Sequence, residues 1–277
     1  MQIDSTVITS RQNPLVMRAA RLDQKKYRDA EGCFLIHGIK LAREALHCGV
    51  ILEHILLRED SADRALDALR DAARDLSVRV TVLGESAFSK ISPEKSPEGV
   101  ICVAKTLDKF HKFATIKKGE PFLAGDGRLL LLESLRDPGN LGTVLRSAAA
   151  FGTTCVLLSA DCAELYNPRT LRAAMGAIFK LPTLRVDDLP AAIAGLRAAG
   201  RRVWATALDA DAVRLDALSL ETGDCFLVGN EGHGLSHEAI AAADGVVFIP
   251  MRADTESLNA AAAAAVCLWE QARRFGI

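Results

Sequence analysis

A chain of 277 residues, 49% hydrophobic and 25% charged, has the make-up of an ordinary globular protein and the length for two domains. No apolar run reaches membrane length, since the longest, Leu258 to Leu268, is mostly alanine between Glu256 and Glu270; the first residues, Met-Gln-Ile-Asp-Ser, lack a basic-then-apolar signal, so a cytoplasmic location is expected. Net charge is −1, and seven scattered cysteines without a Cys-x-x-Cys pair argue against a disulfide framework and a zinc site.

In chain order, Asn13 to Asp29 places Leu15, Ala19 and Leu22 at helical spacing. Around them Arg11, Arg18, Arg21, Lys25, Lys26 and Arg28 stand against Asp23 alone, a cluster that suits phosphate contact, with a solvated helix face as the alternative. Then follow a short strand at Cys33–Ile36, a helix at Ile39–Cys48, a strand at Leu52–Leu57 and a helix over Ala62–Leu76. A strand at Arg79–Leu83, a helix at Glu85–Ile91 and a strand at Val100–Ala104 complete a compact α/β domain over 1–105. The stretch 106–127, with Lys109, Lys112, Lys117 and Lys118 among Pro121, Gly125 and Gly127, reads as an interdomain linker.

From 128 to 277 a second domain is expected. It begins with an apolar strand at 129–133, stopped by Asp137, Pro138 and Gly139. Asn140 is placed to cap the helix at 140–151, and Arg146 falls on its second turn, on roughly the same side as Gly142. A guanidinium near a helix mouth suits an anionic, phosphate-bearing substrate. A strand at 154–159, helices near 168–176 and 188–199, strands at 202–207, 225–229 and 246–249, and a C-terminal helix at 257–274 complete the pattern. Apolar strands separated by helices imply a mostly parallel sheet with helices on both faces, and ligands in such sheets sit at the carboxyl ends of the strands. The chain has no Gly-x-Gly-x-x-Gly and no Gly-Lys-Ser/Thr, which argues against dinucleotide and P-loop chemistry. Gly229, Gly232 and Gly234 follow a strand, so main-chain groups there can approach an adenosine or ribose closely, or simply make a tight turn. His233 and His237 are four apart, but no further Cys or His lies near them, so no metal is expected.

Three segments carry a resemblance: Asp137-Pro-Gly-Asn140-Leu-Gly-Thr-Val-Leu-Arg146-Ser-Ala, then Phe226-Leu-Val-Gly229-Asn-Glu231-Gly-His-Gly234-Leu-Ser236, then Ile249-Pro-Met251 followed by Ser257-Leu258-Asn259. In order and spacing they resemble the motifs of the SpoU–TrmH family of RNA ribose 2′-O-methyltransferases, of the SPOUT class, over roughly Arg128 to Arg273. The resemblance implies a trefoil knot, a rare exception to ordinary chain topology. It also implies S-adenosylmethionine bound in that knot, largely through main-chain groups at Gly229, Ile249 and Leu258, with Gly234 and Met251 beside them. It places the catalytic arginine at Arg146, with Asn140, Glu231, Ser257 and Asn259 as active-site partners. A homodimer completing the site across subunits is implied as well.

A middle stretch from Asn167 to Pro182 also resembles the family, and there Arg169 and Arg172 would face RNA. Ala174 stands where the family often has serine, and alanines fill 260–265 in place of a β-branched and serine mixture. Ser10-Arg-Gln-Asn-Pro14 and Phe34-Leu-Ile-His-Gly38 are similar to the family's N-terminal RNA-binding domain, with His37 where an acidic residue is usual. The expected activity is methyl transfer to a ribose 2′-hydroxyl, in ribosomal RNA before transfer RNA; a non-catalytic RNA-binding or ribosome-assembly factor of the same fold is the alternative. A protonated 2′-hydroxyl is a poor nucleophile, so the site must accept its proton or favour the developing alkoxide. Arg146 as the base, or as an electrostatic stabiliser with Glu231 or a phosphate oxygen taking the proton, are both open at this point.

Overall fold

A computed structural model of the chain describes residues 2–3, 6–70, 78–92, 98–107, 127–230, 232–252, 254 and 257–276. They divide into two compact units, Met1–Leu107 with Tyr166–Leu171, and Asp108–Leu165 with Arg172–Ile277.

The first unit contains β1 (Gln2–Ile3), α1 (Pro14–Arg21), α2 (Lys25–Glu31), β2 (Cys33–His37), α3 (Ile39–His47), β3 (Leu52–Arg58), α4 (Ala62–Arg70), β4 (Arg79–Leu83), α5 (Glu85–Ile91) and β5 (Val100–Lys105). Its sheet runs in the order β1-β4-β3-β5-β2, with β5 antiparallel to both neighbours and the other pairs parallel. Val16, Ala19 and Leu22 pack with Ala87, Phe88 and Ile91 over one sheet face. The helix expected across Asn13–Asp29 is two helices. Asn13 caps the first, its Oδ1 accepting from Leu15 N at 2.9 Å, and Pro14 fits at the first helical position. The first helix stops at Leu22, and the guanidinium of Arg28 donates to the carbonyls of Leu22 and Asp23, both at 2.7 Å. The C-terminal part of the helix expected over Ala62–Leu76, beyond Arg70, lies outside the described residues, as does the expected linker between 108 and 126.

The second unit is built on β6 (Arg128–Leu132), α6 (Pro138–Ala150), β7 (Thr153–Ser159), α7 (Pro168–Ala174, shared with the first unit), β8 (Thr183–Val186), α8 (Leu189–Ala198), β9 (Val203–Thr206), β10 (Val213–Arg214), β11 (Cys225–Val228), α9 (His237–Ala242), β12 (Gly245–Phe248) and α10 (Ala260–Phe275). All six strand pairings are parallel, in the order β10-β12-β9-β11-β6-β7-β8. The parallel sheet read from the sequence is therefore present, and β8, β10 and α9 are additions to it. Helices cover both faces, so the central strands are apolar throughout instead of alternating. Leu129, Leu131, Cys225 and Leu227 are buried in the layer with α8 and α9, while Leu130, Leu132, Phe226 and Val228 alternate with them along β6 and β11 and are equally buried. On that second face α10 packs against α6 and β11.

Helix starts correct two expectations. The cap of α6 is Asp137, whose Oδ1 accepts from Asn140 N at 2.9 Å; Asn140 is the capped residue, with Pro138 at the first helical position. The C-terminal helix begins at Ala260, because Asn259 Oδ1 takes up the free Ala261 and Ala262 N–H groups at 3.0 and 3.3 Å.

Candidate active site

At the carboxyl ends of β9, β11 and β12, a cavity of about 370 Å³ opens in the second unit. Its wall includes Thr206 to Leu208 after β9, Val228 to Asn230 and His233 to Leu235 after β11, Phe248, Ile249 and Met251 after β12, and Ser257 and Leu258 before α10. Segments far apart in sequence thus converge on one concave surface, in the crevice where parallel sheets hold ligands. All five positions expected to hold the donor (Gly229, Gly234, Ile249, Met251 and Leu258) line it, as does Ser257.

The glycine loop has its shape for a local steric reason. A Cβ on Gly229 would lie 2.5 Å from the carbonyl carbon of Gly234, and Gly234 itself has φ +68°. Asn230 and Gly234 exchange main-chain hydrogen bonds of 3.1 and 2.9 Å, and Asn230 Oδ1 accepts from Gly232 N at 2.8 Å. The loop therefore folds back on itself, and Gly229, Asn230, His233 and Gly234 line the cavity. Glu231 lies outside the described residues.

A second group sits at the junction of α6 and α10. Asn259 Nδ2 donates to Asn140 Oδ1 at 3.2 Å, joining the first and last motifs. Arg146 is exposed on α6 and, among the described residues, its guanidinium has no hydrogen-bond or ion-pair partner. Neither Arg146, Asn140 nor Asn259 lines the cavity. The five expected catalytic residues therefore divide: Ser257 in the cavity wall, Asn140 and Asn259 bonded to each other, Arg146 exposed on the helix that carries Asn140, and Glu231 undescribed.

Sequence reading did not find Thr206, Ala207 and Leu208, whose place in the wall follows from β9 lying between β11 and β12. Nothing in their local sequence signals that adjacency. His233 lines the cavity, and no group of three potential metal-binding side chains occurs among the described residues. Burial pushes the thiols of Cys155, Cys225 and Cys267 up to about 12, so none of them is a thiolate nucleophile near neutral pH.

The expected basic surface of the first unit also divides. Arg11, Arg21, Lys25 and Lys26 are exposed, and the cations of Arg21 and Lys26 lie 5.7 and 4.8 Å from the centroid of the Tyr27 ring. Arg28 is a correction: it is buried at 3% exposure, with its guanidinium turned to the end of α1, and it presents no charge to a phosphate. Arg18 is half-buried and held by carboxylates of its own chain. Its guanidinium donates to Glu31 at 2.6 Å and to both oxygens of Glu53 at 3.0 and 3.1 Å. The hydrogen bonds from Arg18 hold the Glu53 carboxyl at about 2, well below the usual range. Arg169 and Arg172 are exposed on α7. No helix among the described residues is long and apolar enough to cross a membrane.

Residues 127–269 match the SpoU rRNA Methylase family, and residues 13–102 match the MRM3-like substrate binding domain. The 23S rRNA (guanosine(2553)-2′-O)-methyltransferase RlmP of Bacillus subtilis is 32% identical over 95% of this chain and 97% of its own length. A 23S rRNA (uridine(2479)-2′-O)-methyltransferase of Streptomyces viridochromogenes is 28% identical over 96% and 92%. Among solved structures, an AdoMet-bound rRNA methyltransferase from Sinorhizobium meliloti superposes with a TM-score of 0.81 at 28% identity, covering 99% of each chain.

Proposed function

The chain belongs to the SpoU rRNA methylase family, and from that premise we infer that it transfers a methyl group from S-adenosylmethionine to a ribose 2′-hydroxyl of RNA. The observation that carries this is the cavity, where the glycine loop, the segment after β12 and the turn before α10 meet at the carboxyl ends of parallel strands. Its wall suits the donor. Apolar side chains of Val228, Leu235, Ile249, Met251 and Leu258 line it and can exclude water, while Gly229 and Gly234, with no side chains in the way, leave nearby main-chain groups open to pair with an adenine edge and a ribose. When bound, S-adenosylmethionine supplies an electrophilic methyl group on a sulfonium sulfur. In the family reading, the loop carrying Gly229 to Gly234 and the C-terminal segment from Ile249 onward make the trefoil knot that holds the donor.

The protein's own part is to present the sugar oxygen and manage its charge. Arg146 is exposed and has no partner among the described residues, so its planar fork can hold the phosphate beside the target ribose and stabilise negative charge on the 2′-oxygen. We favour this role over that of a base, because a guanidinium stays protonated in proteins. Glu231 or a phosphate oxygen then accepts the hydroxyl proton, and the Asn140–Asn259 bond fixes α6 against the start of α10.

Arg146 lies outside the cavity wall, and α10 exposes Val266 at 38% and Trp269 at 50%. Both features support a homodimer in which Arg146 of one subunit serves the cavity of its partner. Arg11, Arg21, Lys25, Lys26, Arg169 and Arg172 are the residues proposed to contact RNA phosphates. The full-length likeness to 23S rRNA methyltransferases favours a large-subunit ribosomal RNA target, and with it a cytoplasmic location. Calorimetry with the purified chain is the test: S-adenosylmethionine or its demethylated product binds, whereas no binding of either removes the reading and leaves an RNA-binding factor of the same fold.

A further inference from the structure

Glu133, just beyond the end of β6, takes no part in the cavity wall, yet its carboxylate reaches across to the glycine loop. Its Oε2 accepts from Ser236 N at 2.8 Å and its Oε1 from the Ser236 hydroxyl at 2.6 Å. Two hydrogen bonds to one ionised carboxylate are short and directional, and they fix a serine 103 positions away in sequence. Ser236 Oγ also accepts from Ala239 N at 3.2 Å and caps α9, so the same contact ties the loop to that helix.

The next residue grips the other end of the loop. Ser134 O accepts from Asn230 Nδ2 at 2.8 Å. Ser134 has φ +54°, a left-handed conformation that costs a non-glycine residue energy and persists only where its surroundings hold it. Its N–H donates to Ser159 Oγ at the end of β7, at 2.8 Å, and its hydroxyl to Asp161 Oδ2 in the turn after it, at 2.7 Å, which is how these residues hold it. Glu133 and Ser134 thus hold Ser236 and Asn230, the two ends of a loop whose Asn230, His233, Gly234 and Leu235 wall the cavity.

We propose that Glu133 is a positioning residue for the methyl donor: through Ser236 it holds the glycine loop in its donor-binding shape, with Ser134 fixing the opposite end. This rests on the assignment of the cavity to S-adenosylmethionine. The chemistry needs it, because a wall that recognises its ligand through main-chain groups has no side chains with which to compensate for a displaced backbone.

The experiment compares the full-length wild type with Glu133→Ala, Glu133→Gln, Ser236→Ala and the Glu133→Ala/Ser236→Ala double variant. The readouts are calorimetric affinity for S-adenosylhomocysteine, KM for donor and for RNA separately, and amide exchange at Ser236. Loss of the carboxylate is expected to weaken donor affinity and raise donor KM by about tenfold or more, with RNA KM within about twofold. Glu133→Gln falls between, since its amide oxygen retains one acceptor, and the double variant is no worse than Glu133→Ala alone. Ser236→Ala, which loses only the hydroxyl bond, gives a smaller shift in the same direction and keeps the test valid if Glu133→Ala fails to fold. Donor affinity within twofold of wild type in Ser236→Ala and in every folded Glu133 variant, or equal rises in donor and RNA KM, overturns the proposal. A wild-type chain that binds no donor overturns the cavity assignment instead. Amide exchange then decides the clasp by itself: faster exchange at Ser236 in the Glu133 variants supports it, and unchanged exchange refutes it.

Discussion

Among the described residues, Arg146 has no hydrogen-bond or ion-pair partner. Leu145 and Ala148 on the same helix are buried and Thr143 is exposed, and no described carboxylate pairs with the guanidinium. Contrast Arg18, Arg28 and Arg202, each of which is held by carboxylates or carbonyls of its own chain. An exposed arginine with no described partner on a well-packed helix suits an anion from outside. Lysine would preserve the charge and lose the fork, so Arg146→Lys is expected to lower kcat by about 100-fold, comparable to removing one transition-state donor. Steady-state kinetics decide this, and near-wild-type turnover would contradict the role given to the guanidinium. The family resemblance singled out Arg146, but nothing in the sequence tells which basic residues of the first unit are held by their own chain. Arg28 and Lys26 look alike in a sequence window. Only the carbonyls freed where α1 ends, at Leu22, distinguish them.

At the scale of elements, strands were legible wherever apolar residues ran unbroken, as in Leu129–Leu132 and Phe226–Val228, because burial on both faces leaves no other composition open to them. Short edge strands were not: Val213–Arg214 is exposed and has no apolar run to betray it. Helix starts were displaced by two or three residues where several polar residues compete to cap, as at Asp137 against Asn140. Pairing between elements was beyond sequence reading altogether, and the ion pair joining α1 to β3 is the clearest case. Glu53 carries its carboxyl at about 2, held there first by the hydrogen bonds from Arg18, against 4.5 for the unperturbed group. The unfolded chain therefore takes up a proton before the folded one does. The pair's stabilisation is complete above about pH 4.5 and is lost as pH falls towards 2. Urea denaturation followed from pH 6 to pH 3 is expected to show wild type losing stability faster than Glu53→Gln, so that their difference narrows with acid. Parallel pH profiles would show that the pair contributes nothing.

For the whole molecule, the sequence made the class of chemistry legible because three motif segments resemble one family, and the structure supplies the reason those segments belong together. The order β12-β9-β11-β6 brings the ends of strands that are distant in sequence side by side. It also explains why Thr206 to Leu208 escaped notice, since their role is inherited from that adjacency alone. The alanines of α10 divide between two tasks. Ala260, Ala261 and Ala264 are buried within the chain, while Ala262, Val266 and Trp269 lie on the exposed face. If that face is the contact between two copies, Val266→Asp and Trp269→Glu are each expected to sediment as monomers and to lose most turnover, with wild type a dimer. A dimeric, active Trp269→Glu together with a dimeric Val266→Asp would place the contact elsewhere.

The most direct measurement supplies the purified protein with methyl-labelled S-adenosylmethionine and ribosomal RNA lacking the modification, then digests the product with alkali. A 2′-O-methyl group removes the nucleophile that alkaline cleavage requires, so the label is predicted to remain in dinucleotides that resist hydrolysis. Label recovered in mononucleotides, which marks methylation of a base, or no incorporation at all, would contradict transfer to the ribose oxygen.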